Sequence, residues 1–171
     1  EGTYPLPEAQ LDRFFFKIDV PMPSVDELVL IADRTTGAEE IELRKVADGP
    51  TIIAMQRLAR EVPIASHVTA YAARLLSATH PEQPDAPEMV AQYVRFGSSP
   101  RGMQAMILAG KIFALLDGRF NVSFADIQAA ALPALRHRLI LNFEAQAEGV
   151  LPDQLIAHLL EAVPTEQRQT A

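Results

Sequence analysis

Cysteine is absent from the 171 residues of the sequence. Without it the chain can form no disulfide, no thiolate metal site and no cysteine nucleophile. Long apolar runs are missing too, since stretches such as 28–32 and 112–116 are far shorter than the roughly 18 residues that indicate a membrane span. No signal peptide opens the chain. We therefore predict no membrane insertion. The absence of cysteine is compatible with a reducing compartment, and we predict a cytoplasmic location.

Positive charge is scarce and dispersed. The 15 Lys and Arg residues face 22 Asp and Glu, which gives a formal net charge of −7, and no long basic run occurs. A nucleic-acid surface needs clustered cations to neutralise phosphates. The balance therefore disfavours nucleic acid as a partner and, for the same reason, a helix-turn-helix regulator.

The common phosphate and metal motifs are missing as well. No G-x-x-x-x-G-K-[ST] loop occurs, and AGKIF at 109–113 has the wrong spacing inside a predicted helix. VLIAD at 29–33 imitates a magnesium-binding strand, but Arg34 follows it and the segment is predicted to be helical. None of the four histidines has a partner at metal-ligand spacing. They are His67, His80, His137 and His158. We predict no metal site and assign the histidines to the surface or to packing.

The periodicity of the remaining residues predicts a mainly α chain with one strand. Pro7 can open a short helix that runs to about Arg13. From Phe14 to Val20 apolar and polar side chains alternate, which is the pattern of a half-buried strand. A bundle of about six helices follows, interrupted by a proline-rich connector at 80–87.

Polar residues mark where the helices begin and end. The predicted caps are Ser24 with Glu27, Asp48, Ser99 before Pro100, and Ser123 with Asp126. The predicted apolar stripes of the first two bundle helices are Val25, Leu28, Val29 and Ala32, then Met55, Leu58, Ala59 and Val62. Gly118 should end the helix that follows Ser99, and Pro133 should kink or split the next one.

The stretch GSSPRG, residues 97–102, places Arg101 on the first turn of a helix. A helix start carries unpaired N–H groups and partial positive charge, so a cation gains nothing there from the helix itself. The two together make a site for an anion such as phosphate, and Gly102 would let a ligand approach the backbone. Local sequence leaves open a solvated arginine paired with a nearby acid.

Two other groups of cations are less informative. Arg13 stands at the end of a short helix, where a positive charge is favoured, so physical reasoning alone does not mark it as functional. The basic run Arg136, His137 and Arg138 could face a neighbouring subunit or water.

Five segments carry a resemblance. They are EGTYPLPEAQLDRF at 1–14, GSSPRG at 97–102, LLDGR at 115–119, ALRHRLIL at 134–141 and EAQAEGV at 144–150. In this order and spacing they resemble the C-terminal half of a MoxR-type AAA+ ATPase. Since the sequence also begins without methionine, we expect a piece of a longer chain whose N-terminal half is missing.

The resemblance implies a fold and a function. Residues 1–22 would be the end of the α/β core, and residues 23–171 the helical lid domain. The intact protein would bind ATP and magnesium and hydrolyse ATP as a ring, a hexamer in the resemblance, and would remodel or mature protein clients as a chaperone. The phosphate loop and the magnesium-holding acids would lie upstream, so this chain alone should bind no cofactor and be inactive.

The resemblance also assigns residues. Arg13, in the LDRF string, resembles the arginine finger that reaches the γ-phosphate bound by the next subunit. Arg101 resembles the lid's sensor arginine, which touches the phosphates bound by its own subunit, and Ser99 and Pro100 belong to the same nucleotide-binding motif. Gly102 stands where the family is expected to have a small residue such as alanine, a mild departure.

Two structural expectations follow. As a nucleotide sensor, Arg101 should stand at an open edge of the bundle with no acidic partner. The strand at 14–20, lacking its sheet, should be paired with another chain, packed on the bundle or held by a symmetry mate. The alternative function is a non-enzymatic helical domain for protein–protein interaction, which predicts a large exposed apolar groove.

Overall fold

The computed structural model describes residue 4, residues 6–38 and residues 43–165. Most of the described chain is helical. The elements are α1 Glu8–Leu11, α2 Val25–Thr36, α3 Gly49–Glu61, α4 Ser66–Ser77, α5 Glu88–Tyr93, β1 Val94–Phe96, α6 Pro100–Leu116, α7 Phe124–Leu135, β2 Ile140–Leu141, α8 Phe143–Glu148 and α9 Pro152–Ala162. A side-chain cap opens α2, α3, α6, α7 and α8, whereas α1, α4 and α5 have none. The mainly α fold class is confirmed.

Capping chemistry sets the helix boundaries as predicted. Ser24 and Ser123 each open a helix with a reciprocal capping box, and Asp48 accepts a hydrogen bond from the Thr51 N–H at the start of α3. Gly118 follows α6 with φ +68°, a left-handed conformation that glycine adopts without strain. Contrary to a split, α7 continues through Pro133 to Leu135.

The core lies between α6 and α7, with α4 and α9 packed against them. Small residues bring the two central helices close together, and larger side chains from the surrounding helices fill the space. The fully buried larger side chains include Tyr71, Leu75, Met106, Ile127, Leu135, Leu155, Ile156 and Leu159. Burying each such side chain stabilises the fold by about 1.5–3 kcal/mol relative to exposing it.

The apolar stripe of α2 lies outside this core. The helix forms as predicted but has no buried residue, so Val25 and Val29 are exposed. In α3 only the end of the predicted stripe is buried, at Ala59 and the following Val62, whereas Met55 and Leu58 are exposed. Periodicity therefore identified the helices, but it did not identify which of them contribute to the core.

The predicted strand at 14–20 is wrong, because no residue of that segment is in a strand. The sheet joins β1 and β2 instead, antiparallel, with Val94 opposite Leu141. A strand needs a neighbouring strand to satisfy its backbone, and none of the described residues forms one beside segment 14–20. A backbone bond to the bundle runs from the Lys17 N–H to the Pro133 carbonyl at 2.9 Å, and Phe16 packs against the core. The expectation that this segment packs on the bundle is thus confirmed for 14–17.

Candidate functional site

The residue predicted as an arginine finger, Arg13, lies in the turn after α1. Its backbone N–H donates to the Gln10 carbonyl at 3.1 Å, which extends the turn beyond the short helix. The side chain is exposed. Across the residues that the structure describes, its guanidinium has neither a hydrogen bond nor an ion pair. Arg13 is therefore held by its backbone and has a guanidinium that is available for a ligand.

The predicted sensor residue, Arg101, stands on the first turn of α6. Ser99 caps this helix by accepting a hydrogen bond from the Arg101 N–H at 3.2 Å, and Pro100 is the first helical residue, where its missing N–H costs nothing. The Arg101 side chain is 52% exposed, so it does stand at an open surface. The predicted Ser99 cap and the position of Arg101 on the first helical turn are therefore confirmed.

The expectation that Arg101 has no acidic partner is wrong. Its Nη1 lies 2.9 Å from Oδ2 of Asp12, the residue before Arg13. The physical reason is the one that made the helix start attractive for phosphate: unpaired N–H groups and a guanidinium favour any anion, and α1 brings a carboxylate to that place. The alternative that the local sequence left open, an arginine paired with a nearby acid, is the one that the structure shows.

Asp12 connects three cationic or polar side chains. Ser99 Oγ donates to its Oδ1 at 2.7 Å and Arg138 Nε donates to the same oxygen at 3.1 Å, while Arg101 binds Oδ2. Burial raises the pKa of the Asp12 carboxyl, but hydrogen bonds from Arg101, Ser99 and Arg138 lower it further, so the net pKa lies below the ordinary value. Asp12 is consequently ionised at neutral pH.

Gly102 does not provide an approach for a ligand, contrary to the expectation. The residue is buried, and a Cβ placed on it would clash with Ser98 Oγ and come within 2.9 Å of Leu135 Cδ2 and 3.3 Å of Arg138 Cδ. The space above this glycine is therefore filled by the end of α7 and by the Arg138 side chain. Its small size serves packing between α6 and the residues after α7.

The basic run 136–138 faces the chain's own segment 12–19. Arg138 donates to the carbonyls of Asp12 and Phe14, and His137 Nε2 lies 2.9 Å from the Phe14 carbonyl. Since a carbonyl only accepts, this Nε2 carries the proton and donates. Burial is the main cause that lowers the pKa of His137, which keeps the ring neutral at pH 7. Sequence reasoning found the run but not its role, because its partners are backbone atoms more than a hundred residues away.

Two of the other histidines have partners within the bundle. His80 Nε2 lies 3.0 Å from the Ser98 carbonyl, and the His67 ring packs 5.4 Å from Phe124. No three His, Asp or Glu side chains in the described ranges come together in a way that could hold a metal ion. Of the helices described, none combines the length and apolar character needed to cross a membrane.

Comparison with known proteins adds a family to this geometry. A family model described as the AAA lid domain matches residues 86–159. The chaperone MoxR1 of Mycobacterium tuberculosis (strain ATCC 25618 / H37Rv) is 34% identical over 167 residues, 98% of this chain and 44% of that protein. Protein MoxR of Paracoccus denitrificans is 29% identical over 177 residues, 89% of this chain and 49% of that protein.

A solved structure agrees with these relatives. The crystal structure of a provisionally assigned ATPase from Cytophaga hutchinsonii ATCC 33406 superposes with a TM-score of 0.90 at 30% identity, over 98% of this chain and 51% of that chain. The chain spans about half the length of the curated relatives it matches.

These findings define the class first: the chain carries an AAA lid domain, with its helix-start arginine on α6. Over nearly its whole length the chain is similar to MoxR proteins and to a solved ATPase structure, which is consistent with a C-terminal fragment of a MoxR-type AAA+ ATPase that contains the lid region. The resemblance seen in the sequence is confirmed. The boundary between residues 22 and 23 stays a prediction, as the family model covers only 86–159.

Proposed function

We propose that this chain is the C-terminal part of an ATPase that hydrolyses ATP as a ring, a hexamer by family resemblance, and remodels or matures partner proteins in the cytoplasm. The observation that carries the proposal is the position of Arg13, an exposed guanidinium without a partner in the described structure, next to the helix start that holds Arg101. A relative bearing the name chaperone supports the assignment to protein clients.

Arg13 is proposed as the arginine finger, acting on ATP bound by the neighbouring subunit. Phosphoryl transfer accumulates charge on the γ-phosphate oxygens, and an arginine supplied in trans is worth about 10³–10⁵ in rate. Such a residue must be exposed and unpaired in a single subunit, because its partner belongs to another one. Arg13 meets both requirements in the described structure.

Arg101 is proposed as a phosphate-binding arginine, with Ser99 and Pro100 shaping the helix start that presents it. Arg101 contacts Asp12, the residue that precedes Arg13, and we therefore propose that the two arginines act on the same nucleotide, that of the neighbour. This revises the assignment to its own subunit's phosphates. The exposed ion pair with Asp12 is worth only about 0–1 kcal/mol, so a phosphate carrying more charge can take the guanidinium.

ATP and magnesium are the proposed cofactors of the intact protein. This chain has no phosphate loop, so the loop and the acids that hold magnesium would come from the upstream half. On this proposal the chain by itself binds no cofactor and has no ATPase activity. What it contributes is Arg13, the α6 start and the lid.

A second candidate function, a non-enzymatic domain for protein–protein interaction, has one observation in its favour. Val20, Met22, Leu30 and Ile31 line an open groove of about 400 Å³ beside α2. Apolar surface of this kind is typical of an interface. The upstream half of an ATPase would cover such a surface equally well, so the groove alone does not favour this candidate over the first.

The deciding experiment measures ATP turnover of the intact protein at saturating ATP and magnesium. Arg13→Ala and Arg101→Ala are each expected to lower kcat at least about tenfold, because each removes a charge that stabilises developing negative charge. Arg57→Ala, an exposed arginine on α3, is the matched control and should hydrolyse ATP like the unsubstituted protein. If both test variants hydrolyse ATP at the unsubstituted rate, the non-enzymatic interaction domain becomes the favoured function.

A further inference from the structure

Segment 12–19 carries Arg13 and crosses the bundle without forming a strand. Its backbone carbonyls are bound by side chains instead of by a sheet. Arg136 Nη1 donates to the Lys17 carbonyl at 3.2 Å, and His137 Nε2 donates to the Phe14 carbonyl at 2.9 Å. The consecutive residues 136–138, which follow α7, therefore form one attachment between the lid and this segment, and we call them the 136–138 clasp.

Arg138 makes the densest set of these contacts. Its Nη2 donates to the Asp12 carbonyl at 2.9 Å and to the Phe14 carbonyl at 2.7 Å. Its Nη1 donates to the Phe15 carbonyl at 3.3 Å and to the Ala134 carbonyl, and its Nε donates to Asp12 Oδ1. A guanidinium has five N–H donors, and here each of them has an acceptor.

The burial of Arg138 shows how specific this arrangement is. Its side chain is only 2% exposed, and a buried cation costs several kcal/mol unless charge and hydrogen bonds compensate it. The compensation comes from the Asp12 carboxylate and from backbone carbonyls of residues 12, 14 and 15, with one carbonyl from α7. Arg138 is thus satisfied only when the backbone on both sides of Arg13 is in place.

Arg138 Nη2 binds the carbonyls of Asp12 and Phe14, the residues immediately before and after Arg13. They fix the backbone at either end of that residue while leaving its side chain exposed. A rigid backbone under a free guanidinium is what a catalytic arginine supplied to another subunit needs, because small displacements of a catalytic group are costly.

We propose that Arg138 is a positioning residue for Arg13, and that the 136–138 clasp makes the arginine finger move as one body with α7 of the lid. This inference rests on the proposed function of Arg13 for its catalytic consequence. Its structural part, the fixing of the Arg13 backbone, stands on the contacts alone. When the lid changes position, Arg138 would then move Arg13 with it and so change the distance of Arg13 from the nucleotide of the neighbouring subunit.

The structural part is tested by ¹⁵N relaxation of the Arg13 amide in the 171-residue chain. Arg138→Met keeps roughly the volume of the side chain, and the Asp12 carboxylate keeps Arg101 and Ser99 as partners, so the bundle should still fold. The Arg13 order parameter is expected to fall from about 0.85 to 0.6 or below. Arg119→Met is the matched control, since Arg119 is also bound by carboxylates, those of Asp117 and Asp126, and among the described residues it has no hydrogen bond or ion pair with segment 12–19. Should the methionine variant not fold, Arg138→Lys, which keeps the charge but not the fork, replaces it.

The catalytic part is tested by a double-mutant cycle in the intact protein, with Arg13→Ala, Arg138→Met and the combined variant. Arg138→Met is expected to lower kcat about 10- to 100-fold with a change of less than about threefold in the KM for ATP. If Arg138 acts through Arg13, the combined variant should turn over no more slowly than Arg13→Ala alone. A merely structural loss would instead multiply the two effects.

The outcomes separate the two proposals. An Arg13 amide that stays ordered in the Arg138 variant overturns the inference, and so does a combined variant in which the two losses of kcat multiply. Normal turnover in Arg13→Ala would instead contradict the proposed function, while the relaxation measurement would still decide whether Arg138 holds the Arg13 backbone.

Discussion

Asp12 Oδ2 lies 2.9 Å from Arg101 Nη1, although 88 residues of sequence separate the two. This ion pair joins the turn that carries Arg13 to the N-terminus of α6. The residue next to Arg13 in the sequence is thus in direct contact with Arg101. The predictions below follow from this pair and from the contacts around it.

Removal of Asp12 should cost more stability than removal of its exposed partner Arg101. Asp12→Ala leaves the buried Arg138 without its carboxylate, and we expect a loss of about 2–4 kcal/mol in the free energy of unfolding. Arg101→Ala removes only a half-exposed partner and should cost less than about 1 kcal/mol. Urea unfolding of the 171-residue chain measures both, and equal losses would contradict the assignment.

Mixed rings should reveal which nucleotide Arg101 reaches. One intact variant has its upstream phosphate loop disabled and the other carries Arg101→Ala, so each alone should be nearly inactive. If Arg101 acts on the neighbour's nucleotide, mixing the two restores ATPase activity, since the intact loops then receive Arg101 from adjacent subunits. The same mixture with Arg13→Ala is the positive control. A mixture no more active than its components would mean that Arg101 acts on the nucleotide of its own subunit.

The Asp126 carboxyl should make stability depend on pH. Hydrogen bonds from Arg119 are the main cause that lowers its pKa to about 2, and the side chain also caps α7. Because this folded pKa lies below the unfolded value, the stabilisation is present in full above about pH 5 and is lost as the pH falls toward 2. The shift corresponds to about 2 kcal/mol.

Comparison with Asp126→Asn isolates this carboxyl from the others. The difference in unfolding free energy between the two proteins, measured at pH 7 and at pH 2.5, should shrink by roughly 1–2 kcal/mol at the lower pH. A difference that does not change with pH would mean that the Arg119 contact contributes no linked stability.

Gly97 should not tolerate a side chain. A Cβ at this position would lie 2.6 Å from the Thr79 carbonyl oxygen, a backbone atom that cannot rotate away. We expect Gly97→Ala to destabilise the chain by about 1–3 kcal/mol. Gly49→Ala, where a Cβ would meet nothing within 4 Å, is the control and should not be destabilising. Both are measured by thermal unfolding, and matching midpoints would refute the clash.

Local chemistry determined much of this protein from the sequence alone. Caps at Ser24, Asp48 and Ser123 fixed helix starts, since capping involves residues only three apart. The motifs around Arg13 and Arg101 identified the family, because they are contiguous strings. Helix caps and family motifs depend only on residues close together along the chain, so they can be identified from the sequence.

Tertiary structure alone decided the rest. The period of two in 14–20 predicted a strand, yet a strand forms only with a partner, and here the partners are side chains of the 136–138 clasp. Asp12 has no local feature that joins it to Arg138 or to Arg101, so its contacts with these two residues became visible only once α1, α6 and α7 were packed together. The sequence by itself determined which residues could bind phosphate, and packing decided which of them is already paired, because the energy of a charge depends on what burial and folding bring beside it.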